Sequence, residues 1–453
     1  MLCPLNMSGK SVGVLGLGRS GMAAAASLGA GGAALYLHDD QAAQQGTVFA
    51  PVSGEAISAW QDWPWDQLDA MVISPGIPHQ YPTPHPAAAK AAQHNVPIMS
   101  EVEIAMMAEP KAKIIAITGT NGKSTTTALI GHCLAEAGRP VAVGGNIGDA
   151  ACGLVDPGPD GVIVLELSSY QLETTPSLRA DCAVILNITP DHLERHNGLE
   201  GYVAAKARIL DAVGADGVAF LGATDHHVRA LANSARERGI ATMSITASDA
   251  PSATALCPAL GGAHNAENAA VAASVLAHIG MDDEAIAAGI KSFAGLPHRM
   301  QQVAAIDDIV FVNDSKATNG VAAAKSLAAF DNIYWIAGGM AKEDGIGEAA
   351  DALQGVTAAY LIGAAAPAFA ATLNSHQAQH KDQLFPVTLC GDISTATTAA
   401  FDDATAAGGQ AIILLAPAAA SFDQFDSFVD RGNHFASIAR ALAATPEMGG
   451  AHA

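Results

Sequence analysis

The chain is poor in positive charge, in paired cysteines and in long apolar runs. Its 453 residues carry 22 Lys and Arg against 44 Asp and Glu, and the formal charge of −22 argues against nucleic acid or anionic membrane as a partner. Its six cysteines contain no C-x-x-C pair, so we expect reduced core thiols and no disulfide framework. It shows neither an apolar run of spanning length nor a signal-peptide pattern, so we expect a cytoplasmic protein without membrane insertion.

What the chain does have is apolar bulk. Half of its residues are hydrophobic and only 15% are charged, which is enough for large buried cores. At roughly 150 residues per domain, the length predicts about three domains. We expect three α/β domains, at residues 1–100, 101–296 and 297–453, and we expect residues 1–7 of the first to be a loose leader.

The most informative stretch is a glycine-rich turn between an apolar run and a helical pattern. It reads Thr118-Gly119-Thr120-Asn121-Gly122-Lys123-Ser124-Thr125. The two glycines allow backbone N–H groups to close around phosphate oxygens, while Lys123 and Ser124 offer a cation and a hydroxyl for Mg²⁺. The loop is two residues shorter than G-x-x-x-x-G-K-[ST], because its first glycine stands at position 119. An ordinary strand-to-helix turn with a surface lysine is the alternative, and we favour phosphate binding because strand, glycines, Lys and Ser follow in order.

A second glycine-rich turn opens the first domain. The apolar strand 11–15 runs into Gly16-Leu17-Gly18-Arg19-Ser20-Gly21, and a further strand at 34–37 is followed by Asp39. This is the layout of a dinucleotide-binding βαβ unit, with an acid about 20 residues after the glycines to accept a ribose hydroxyl. A bare βα turn is the alternative. Another strand, 70–73, ends at the Pro- and Gly-rich segment 74–78, where an open α/β sheet binds ligands.

Polar residues follow three apolar runs of the central segment. The runs at 141–143, 162–165 and 183–186 alternate with helical patterns and predict a mostly parallel sheet. Glu166 comes directly after the second run, where a P-loop enzyme places the carboxylate beside Mg²⁺, although a helix-start acid is equally compatible. His192 closes the polar segment after the third run, and a capping or packed imidazole is the alternative to a functional one.

The third segment repeats this pattern of apolar runs followed by polar residues. The run at 309–312 is followed by Asn, Asp, Ser and Lys, and the run at 333–336 leads to Gly-Gly. The run at 411–415 is followed by Ala and Ser. We therefore expect a third α/β domain.

Seven motifs resemble those of the Mur ligases. They are TGTNGKST at 118–125, GGNIG at 144–148, LELSSYQLE at 165–173, NITPDH at 187–192, GLPHRM at 295–300, NDSKATN at 313–319 and SFDQF at 421–425. The resemblance extends from Gly13 to about Arg440. It implies a Rossmann-like UDP-binding domain, a central P-loop ATPase-like domain with a parallel sheet, and a Rossmann-like C-terminal domain.

The resemblance also implies a reaction. NDSKATN together with SFDQF is similar to the members that join D-glutamate to UDP-N-acetylmuramoyl-L-alanine, through an acyl phosphate made with ATP and Mg²⁺. Such an enzyme would be a cytoplasmic ligase of peptidoglycan precursor synthesis, and we expect a monomer. The alternative is another Mur-type ligase or a folylpolyglutamate-synthetase-like ligase. The latter would not need the ~100 residues that precede the phosphate loop.

The family's functional positions carry over residue by residue. The matches for ATP are Gly119, Thr120, Asn121, Gly122, Lys123, Ser124, Thr125, Asn265, Asn268, Arg299, Asp314 and Lys316. Those for the UDP substrate are Arg19, Ser20, Asp39, Gly76 and Asn146. Those for D-glutamate are Thr318, Lys342, Ser421, Phe422 and Phe428. The metal matches are Ser124, Glu166, His192 and Lys206, and Lys123, His192 and Lys206 would be catalytic.

Lys206 requires a modification to take this role. It lies in the helical stretch 202–210, where a lone lysine is ordinarily a solvated face residue. A protonated lysine cannot bind a metal. The resemblance implies that CO₂ converts Lys206 into a carbamate, which supplies an oxygen ligand.

Overall fold

The structure is a computed structural model that describes residues 1–40, 58–261, 263–341, 345–381 and 384–444. The chain divides into two compact units, Met1–Phe293 and Ala294–Ala453. The described residues form three sheets, two in the first unit and one in the second, flanked by helices. The α/β class is confirmed, and the division into three domains at the expected boundaries stays a prediction.

The N-terminal sheet is parallel, with strand order β2-β1-β3-β4. Its central strand β1 lies so close to Trp63 that a Cβ added at Gly13 would stand 2.4 Å from that ring, so glycine is needed there. The strands are β1 Ser11–Leu15, β2 Ala34–His38, β3 Ala70–Ile73 and β4 Ile98–Met99. The helices are α1 Arg19–Ala30, α2 Pro86–Gln93 and α3 Glu101–Met107.

The central sheet is also parallel, with strand order β10-β9-β8-β5-β7-β6. Its inner segments 114–117, 162–165 and 182–185 read as unbroken apolar runs because helices cover both faces. The strands are β5 Lys113–Thr118, β6 Val141–Gly145, β7 Val162–Glu166, β8 Ala180–Ile185, β9 Val213–Gly222 and β10 Thr242–Ile245. The helices are α4 Lys123–Glu136, α5 Ser169–Glu173, α6 Leu199–Ala207, α7 His226–Glu237, α8 Ala263–His278 and α9 Asp283–Ser292.

The second unit has a mixed sheet with strand order β11-β12-β16-β13-β14-β15, in which only the edge strand β11 is antiparallel. The strands are β11 Gln301–Ile306, β12 Ile309–Asn313, β13 Ile333–Gly338, β14 Val356–Ile362, β15 Val387–Gly391 and β16 Ala411–Leu415. The helices are α10 Gly320–Leu327, α11 Ala366–Gln379, α12 Ile393–Ala407 and α13 Phe428–Ala444.

The N-terminal residues are not a loose leader, so that expectation is wrong. Leu2 and Met7 are buried, and the Leu2 N–H donates to the Cys152 carbonyl at 3.0 Å. Apolar burial and backbone pairing hold the segment against the first unit. A loose polar leader would have neither apolar burial nor backbone pairing.

The six cysteines all carry free thiols, as expected, and four of them are buried. Among the described residues, no helix combines the length and the apolar character that crossing a bilayer requires.

Candidate active site

The glycine-rich turn at 118–123 joins β5 to α4, as the sequence predicts. Gly122 is the N-cap of α4 with φ +85°, and Gly119 has φ +152°, so both stand where a Cβ would be strained. A Cβ at Gly122 would lie 2.2 Å from the Asn268 amide oxygen. The turn is therefore specific for glycine for two reasons, its backbone conformation and the close approach of α8.

The first two residues after Gly119 are fastened to the segment that follows β8. The Thr120 hydroxyl is 3.1 Å from the Tyr202 hydroxyl and accepts the Thr189 N–H at 3.0 Å. Asn121 and Asn187 form a reciprocal bridge, in which the Asn121 N–H donates to the Asn187 amide oxygen at 2.8 Å and the Asn187 amide donates back at 3.1 Å. These contacts fix the loop against the NITPDH segment, so two motifs of the sequence meet here.

Two lysines converge on the same turn. Lys123 Nζ donates to the carbonyls of Gly119 and Thr120, both at 2.9 Å. Lys206 Nζ donates to the Gly119 carbonyl at 2.8 Å and to the Thr118 hydroxyl at 3.4 Å. Two lysine nitrogens beside one carbonyl place hydrogen-bond donors, together with the positive charge of Lys123, at the turn, which suits an anionic ligand.

Lys206 is not a solvated face residue, because only 1% of it is exposed. Burial, reinforced by the charge of Lys123, lowers the pKa of Lys206 well below its ordinary value, although Asp191 and Glu166 act in the opposite direction. Its ammonium also lies 4.7 Å from the centre of the Tyr202 ring. The amine is thus held in a site that favours its neutral form.

Glu166 ends β7 beside the turn and is 2% exposed. Its Oε1 accepts the Asn146 amide at 2.9 Å, whereas its buried Oε2 has no hydrogen-bond partner. The GGNIG motif makes this pairing possible, because a Cβ at Gly145 would lie 2.4 Å from the Glu166 carbonyl. An unpaired buried carboxylate oxygen is costly and suits a cation.

His192 stands apart from this buried group. Its side chain is 52% exposed, and its Nε2 is 3.6 Å from an Asp191 carboxylate oxygen. Its φ of 50° is left-handed, and it caps the short 3₁₀ turn Leu193–His196. In the part of the chain that the structure describes, no group of three or more His, Cys, Asp and Glu could hold a metal alone. A metal here would need ligands from a bound nucleotide as well.

The two asparagines expected near adenine lie beside the phosphate turn. Asn268 is buried, and its amide donates to the Asn265 amide oxygen at 3.2 Å. The Asn265 amide in turn donates to the Gly261 carbonyl at 2.9 Å. Both side chains sit at the start of α8, and Asn268 packs on Gly122 as described above.

The glycine-rich turn at residues 16–21 makes different contacts from the turn at residues 118–123. Gly16 has φ +86°, and a Cβ at Gly21 would lie 1.8 Å from the Gly16 carbonyl, so α1 is packed onto the turn. The Leu17 N–H donates to an Asp39 carboxylate oxygen at 2.8 Å. Arg19 and Gly76 are exposed and Ser20 is partly buried. The structure thus brings Asp39 to the glycine turn, as the sequence predicts.

In the second unit the NDSKATN segment meets the start of α13. Asp314 is buried, its carboxylate accepts the Ser326 hydroxyl, and burial raises its pKa. Lys316 Nζ lies 4.3 Å from the centre of the Phe428 ring. Arg299 is exposed. Lys316, which is expected at ATP, therefore contacts Phe428, which is expected at D-glutamate.

The remaining expected D-glutamate residues differ in their surroundings. Ser421 is buried, and its hydroxyl has no hydrogen-bond partner. Thr318 is partly buried, whereas Phe422 is 68% exposed. Lys342 lies outside the described residues.

Sequence reasoning missed two buried residues. Tyr202 joins Thr120 to Lys206, as described above. Arg431 is 1% exposed and donates to the carbonyls of Ser315, Gly338, Ala419 and Ala420 and to the Ser315 hydroxyl. It binds three loops of the second unit together, and burial lowers its pKa to about 10. A lone arginine in a helical pattern carries no signal of such a role.

Comparison with known proteins gives matches to the central segment, to the C-terminal segment and to nearly the whole chain. Residues 117–276 match the Mur ligase middle domain, and residues 298–419 match the Mur ligase glutamate ligase domain. The chain is 41% identical over 463 residues to the UDP-N-acetylmuramoylalanine–D-glutamate ligase of Caulobacter sp. strain K31, covering 96% of this chain and 97% of that protein. It is 42% identical over 464 residues to the protein of the same name from Phenylobacterium zucineum strain HLK1, with 96% and 97% covered.

A solved structure shares the fold. The UDP-N-acetylmuramate-alanine ligase of Thermotoga maritima superposes with a TM-score of 0.57 at 16% identity, covering 96% of this chain and all of that one. The α/β fold and the matched Mur ligase domains together define an enzyme that uses ATP. The chain belongs to the Mur ligase family, and it is an ATP-dependent amide ligase.

Proposed function

We propose that this enzyme joins D-glutamate to UDP-N-acetylmuramoyl-L-alanine at the expense of ATP, in cytoplasmic peptidoglycan precursor synthesis. The named relatives at 41% and 42% identity support the two substrates. The observation that carries the chemistry is the convergence of Lys123, Lys206 and Glu166 on one glycine turn. We propose that the chain acts as a monomer with functional domains at residues 1–100, 101–296 and 297–453.

Lys123 and the turn amides would hold the phosphates of ATP. The turn ends at the N-terminus of α4, whose dipole favours negative charge. Gly119, Thr120, Asn121, Ser124 and Thr125 would complete this cradle, and Asn265 and Asn268 would face the adenine. Arg299, Asp314 and Lys316 are proposed as ATP residues of the C-terminal domain.

The unpaired Oε2 of Glu166 fits a magnesium ion, since hard cations take oxygen ligands. Ser124 would supply a hydroxyl, and His192 together with a carbamylated Lys206 would serve a second ion. Bound magnesium would neutralise charge that develops on the transferring phosphoryl group.

The burial of Lys206 supports the carbamate. The neutral amine nitrogen attacks the carbon of CO₂, the new C–N bond forms as one C=O π bond opens onto oxygen, and one proton leaves the nitrogen to solvent. The neutral amine thereby becomes an anion with two oxygens. The depressed pKa makes the neutral amine available. The lysine would then present oxygens, which a metal can bind.

The ligation itself has two steps. A carboxylate oxygen of UDP-N-acetylmuramoyl-L-alanine attacks the γ-phosphorus, and ADP leaves. The amine of D-glutamate then attacks the acyl carbon, phosphate leaves and a proton is released. Because every reactant is anionic, the protein's main task is to neutralise charge and to hold the partners in line.

The two remaining substrates are assigned to separate residue sets. For UDP-N-acetylmuramoyl-L-alanine we propose Arg19, Ser20, Asp39, Gly76 and Asn146. For D-glutamate we propose Thr318, Lys342, Ser421, Phe422 and Phe428. The buried and unpaired Ser421 hydroxyl supports the second set, since a ligand carboxylate would satisfy it.

Phosphate release from ATP is the test. We expect release to require both UDP-N-acetylmuramoyl-L-alanine and D-glutamate, and mass spectrometry should detect one amide product per ATP. Replacing D-glutamate by L-glutamate, or the UDP substrate by a reduced folate, should abolish release. Turnover with folate and L-glutamate would contradict the proposal and favour a folylpolyglutamate-synthetase-like ligase.

A further inference from the structure

The turn after Asp191 holds an unfavourable backbone conformation. His192 and Asn197 bracket the 3₁₀ turn Leu193–His196, and both are left-handed, with φ of 50° and 54°. Non-glycine residues adopt this region uncommonly and persist there only where their surroundings dictate it. Some contact must therefore hold the turn in place.

His196 supplies the first such contact. Its ring is fully buried, with Nδ1 3.1 Å from a Glu173 carboxylate oxygen and Nε2 2.8 Å from the Ser169 hydroxyl. Since the carboxylate accepts from Nδ1–H, Nε2 accepts from the hydroxyl. The ring also stacks on Tyr170 at 5.2 Å with an interplanar angle of 10°. The turn is thereby fastened to α5.

A serine, a histidine and a glutamate can form a nucleophilic triad, but Ser169, His196 and Glu173 are not placed for reaction. Ser169 is 2% exposed and His196 is 3% exposed, so no substrate bond can reach the hydroxyl. The chain Ser169–His196–Glu173 therefore fixes geometry.

Arg195 supplies the second contact, toward the first domain. Its guanidinium donates to the Gly76 carbonyl at 3.0 Å and to the Pro75 carbonyl at 3.4 Å. It also lies 4.4 Å from the centre of the Tyr170 ring. His79, from the same N-terminal loop, faces the other oxygen of Glu173 at 3.7 Å. The loop 74–79 and the turn 192–197 are thus held by shared partners.

We propose that Arg195 and His196 are positioning residues that hold His192 in register with the loop at residues 74–79. They make phosphoryl transfer at the central turn depend on the loop that the proposed function assigns to the UDP substrate. Neither residue touches a reacting atom. The inference rests on the proposed function, because it takes Gly76 and His192 to serve the two sites of that reaction.

The expected size of the effect follows from geometry. A displacement of about 1 Å at a reacting centre costs roughly 100-fold in rate. Arg195→Met keeps the side-chain stem but removes both carbonyl contacts, and His196→Phe keeps the stack on Tyr170 but removes both ring hydrogen bonds. We expect kcat to fall roughly 10- to 100-fold in each variant, with little change in the KM for D-glutamate.

The matched control is Arg238→Met. Arg238 lies on the surface, where it pairs with Asp211. It should keep parental kcat and KM. Arg195→Lys should recover part of the lost rate, since an ammonium can still donate to one of the two carbonyls. Parental kcat in folded Arg195→Met and His196→Phe would overturn the inference.

A second measurement does not need ligase activity. We expect UDP to slow amide hydrogen exchange at residues 191–198 in the parent and in Arg238→Met, and to leave this segment unchanged in Arg195→Met. Equal protection in all three proteins would overturn the inference even if ligation proceeds. Protection that depends on Arg195 in a protein without ligase activity would uphold the link and reject the proposed function instead.

Discussion

The two glycine-rich turns of the first unit share a layout and differ in charge. Each joins a buried parallel strand to a helix, and each uses glycine with positive φ, Gly16 in the first turn and Gly119 and Gly122 in the second. At the first turn a carboxylate, that of Asp39, accepts a backbone N–H of the turn. At the second, two lysines donate to the carbonyl of Gly119. The local pattern alone therefore does not determine what a turn binds.

Residues distant in sequence supply the difference. The carboxylate at the first turn suits ligand hydroxyls, since it accepts hydrogen bonds. The lysines at the second turn suit phosphate. Lys206 reaches that turn from a helix 87 residues further along the chain. Substitutions at the two turns should consequently affect different ligands.

The largest expected effect is that of Lys123→Ala. Losing a cation that stabilises a transferring phosphoryl group costs about 10³-fold or more in kcat. We expect ligation to be nearly abolished while the circular dichroism spectrum is unchanged, because the lysine is partly exposed and donates to loop carbonyls of its own turn.

Lys113→Ala is the matched control for that experiment. Lys113 is exposed at the start of the same strand, β5, and its removal should leave turnover unchanged. Near-parental turnover in folded Lys123→Ala would remove the ATP assignment from this turn.

Lys206→Ala should come next in severity, with a loss of roughly 10²- to 10³-fold. If its carbamate provides the missing oxygen, formate or acetate should partly restore activity, because either acid fits the vacated space with an oxygen ligand. Lys206→Arg should be inactive and should not respond to added acid, since the guanidinium fills that space and stays charged. Activity of Lys206→Ala without acid would show that the buried amine has no part in the reaction.

Glu166→Gln tests the metal assignment with a near-isosteric change. The amide oxygen can still accept from Asn146, but an NH₂ group replaces the oxygen that now has no partner. Loss of a residue that only supports a metal ligand lowers metal affinity ~10- to 100-fold. The Mg²⁺ concentration for half-maximal activity should therefore rise by at least that factor. Glu237→Gln, on the exposed end of α7, is the control. An unchanged Mg²⁺ requirement would assign the buried oxygen a purely structural role.

Much of this site could be predicted from sequence because strand ends carry it. The runs before Glu166 and before the phosphate turn are strongly apolar, and parallel strands deliver the residues that follow them to one edge. The contrast between buried Lys206 and exposed His192 could not be predicted, since each lies in a segment without a distinctive apolar pattern.

The buried cluster around His196 shows a second limit of sequence. Its members come from α5, from the turn 192–197 and from the loop 74–79, and their residue types are ordinary for a surface. Only tertiary packing brings them together. The prediction of a loose N-terminal leader was wrong for the same reason, because the position of Leu2 depends on a distant partner, Cys152.

The smallest expected effect concerns the first turn and ligand identity. Titration calorimetry of the parent should detect UDP binding and no NADH binding. Asp39→Asn keeps the shape of the side chain and can still accept the Leu17 N–H, but it loses the charge that would receive a ribose hydroxyl. A hydrogen bond to a charged group is worth about 1.5–3 kcal/mol and one to a neutral group about 0.5–1.5 kcal/mol, so the loss of roughly 1–1.5 kcal/mol should lower UDP affinity about 10-fold. ATP affinity should not change, because ATP is assigned to the other turn. Binding of NADH without any response to UDP would assign a dinucleotide to the first turn. The two turns would then differ in the nucleotide that each one binds.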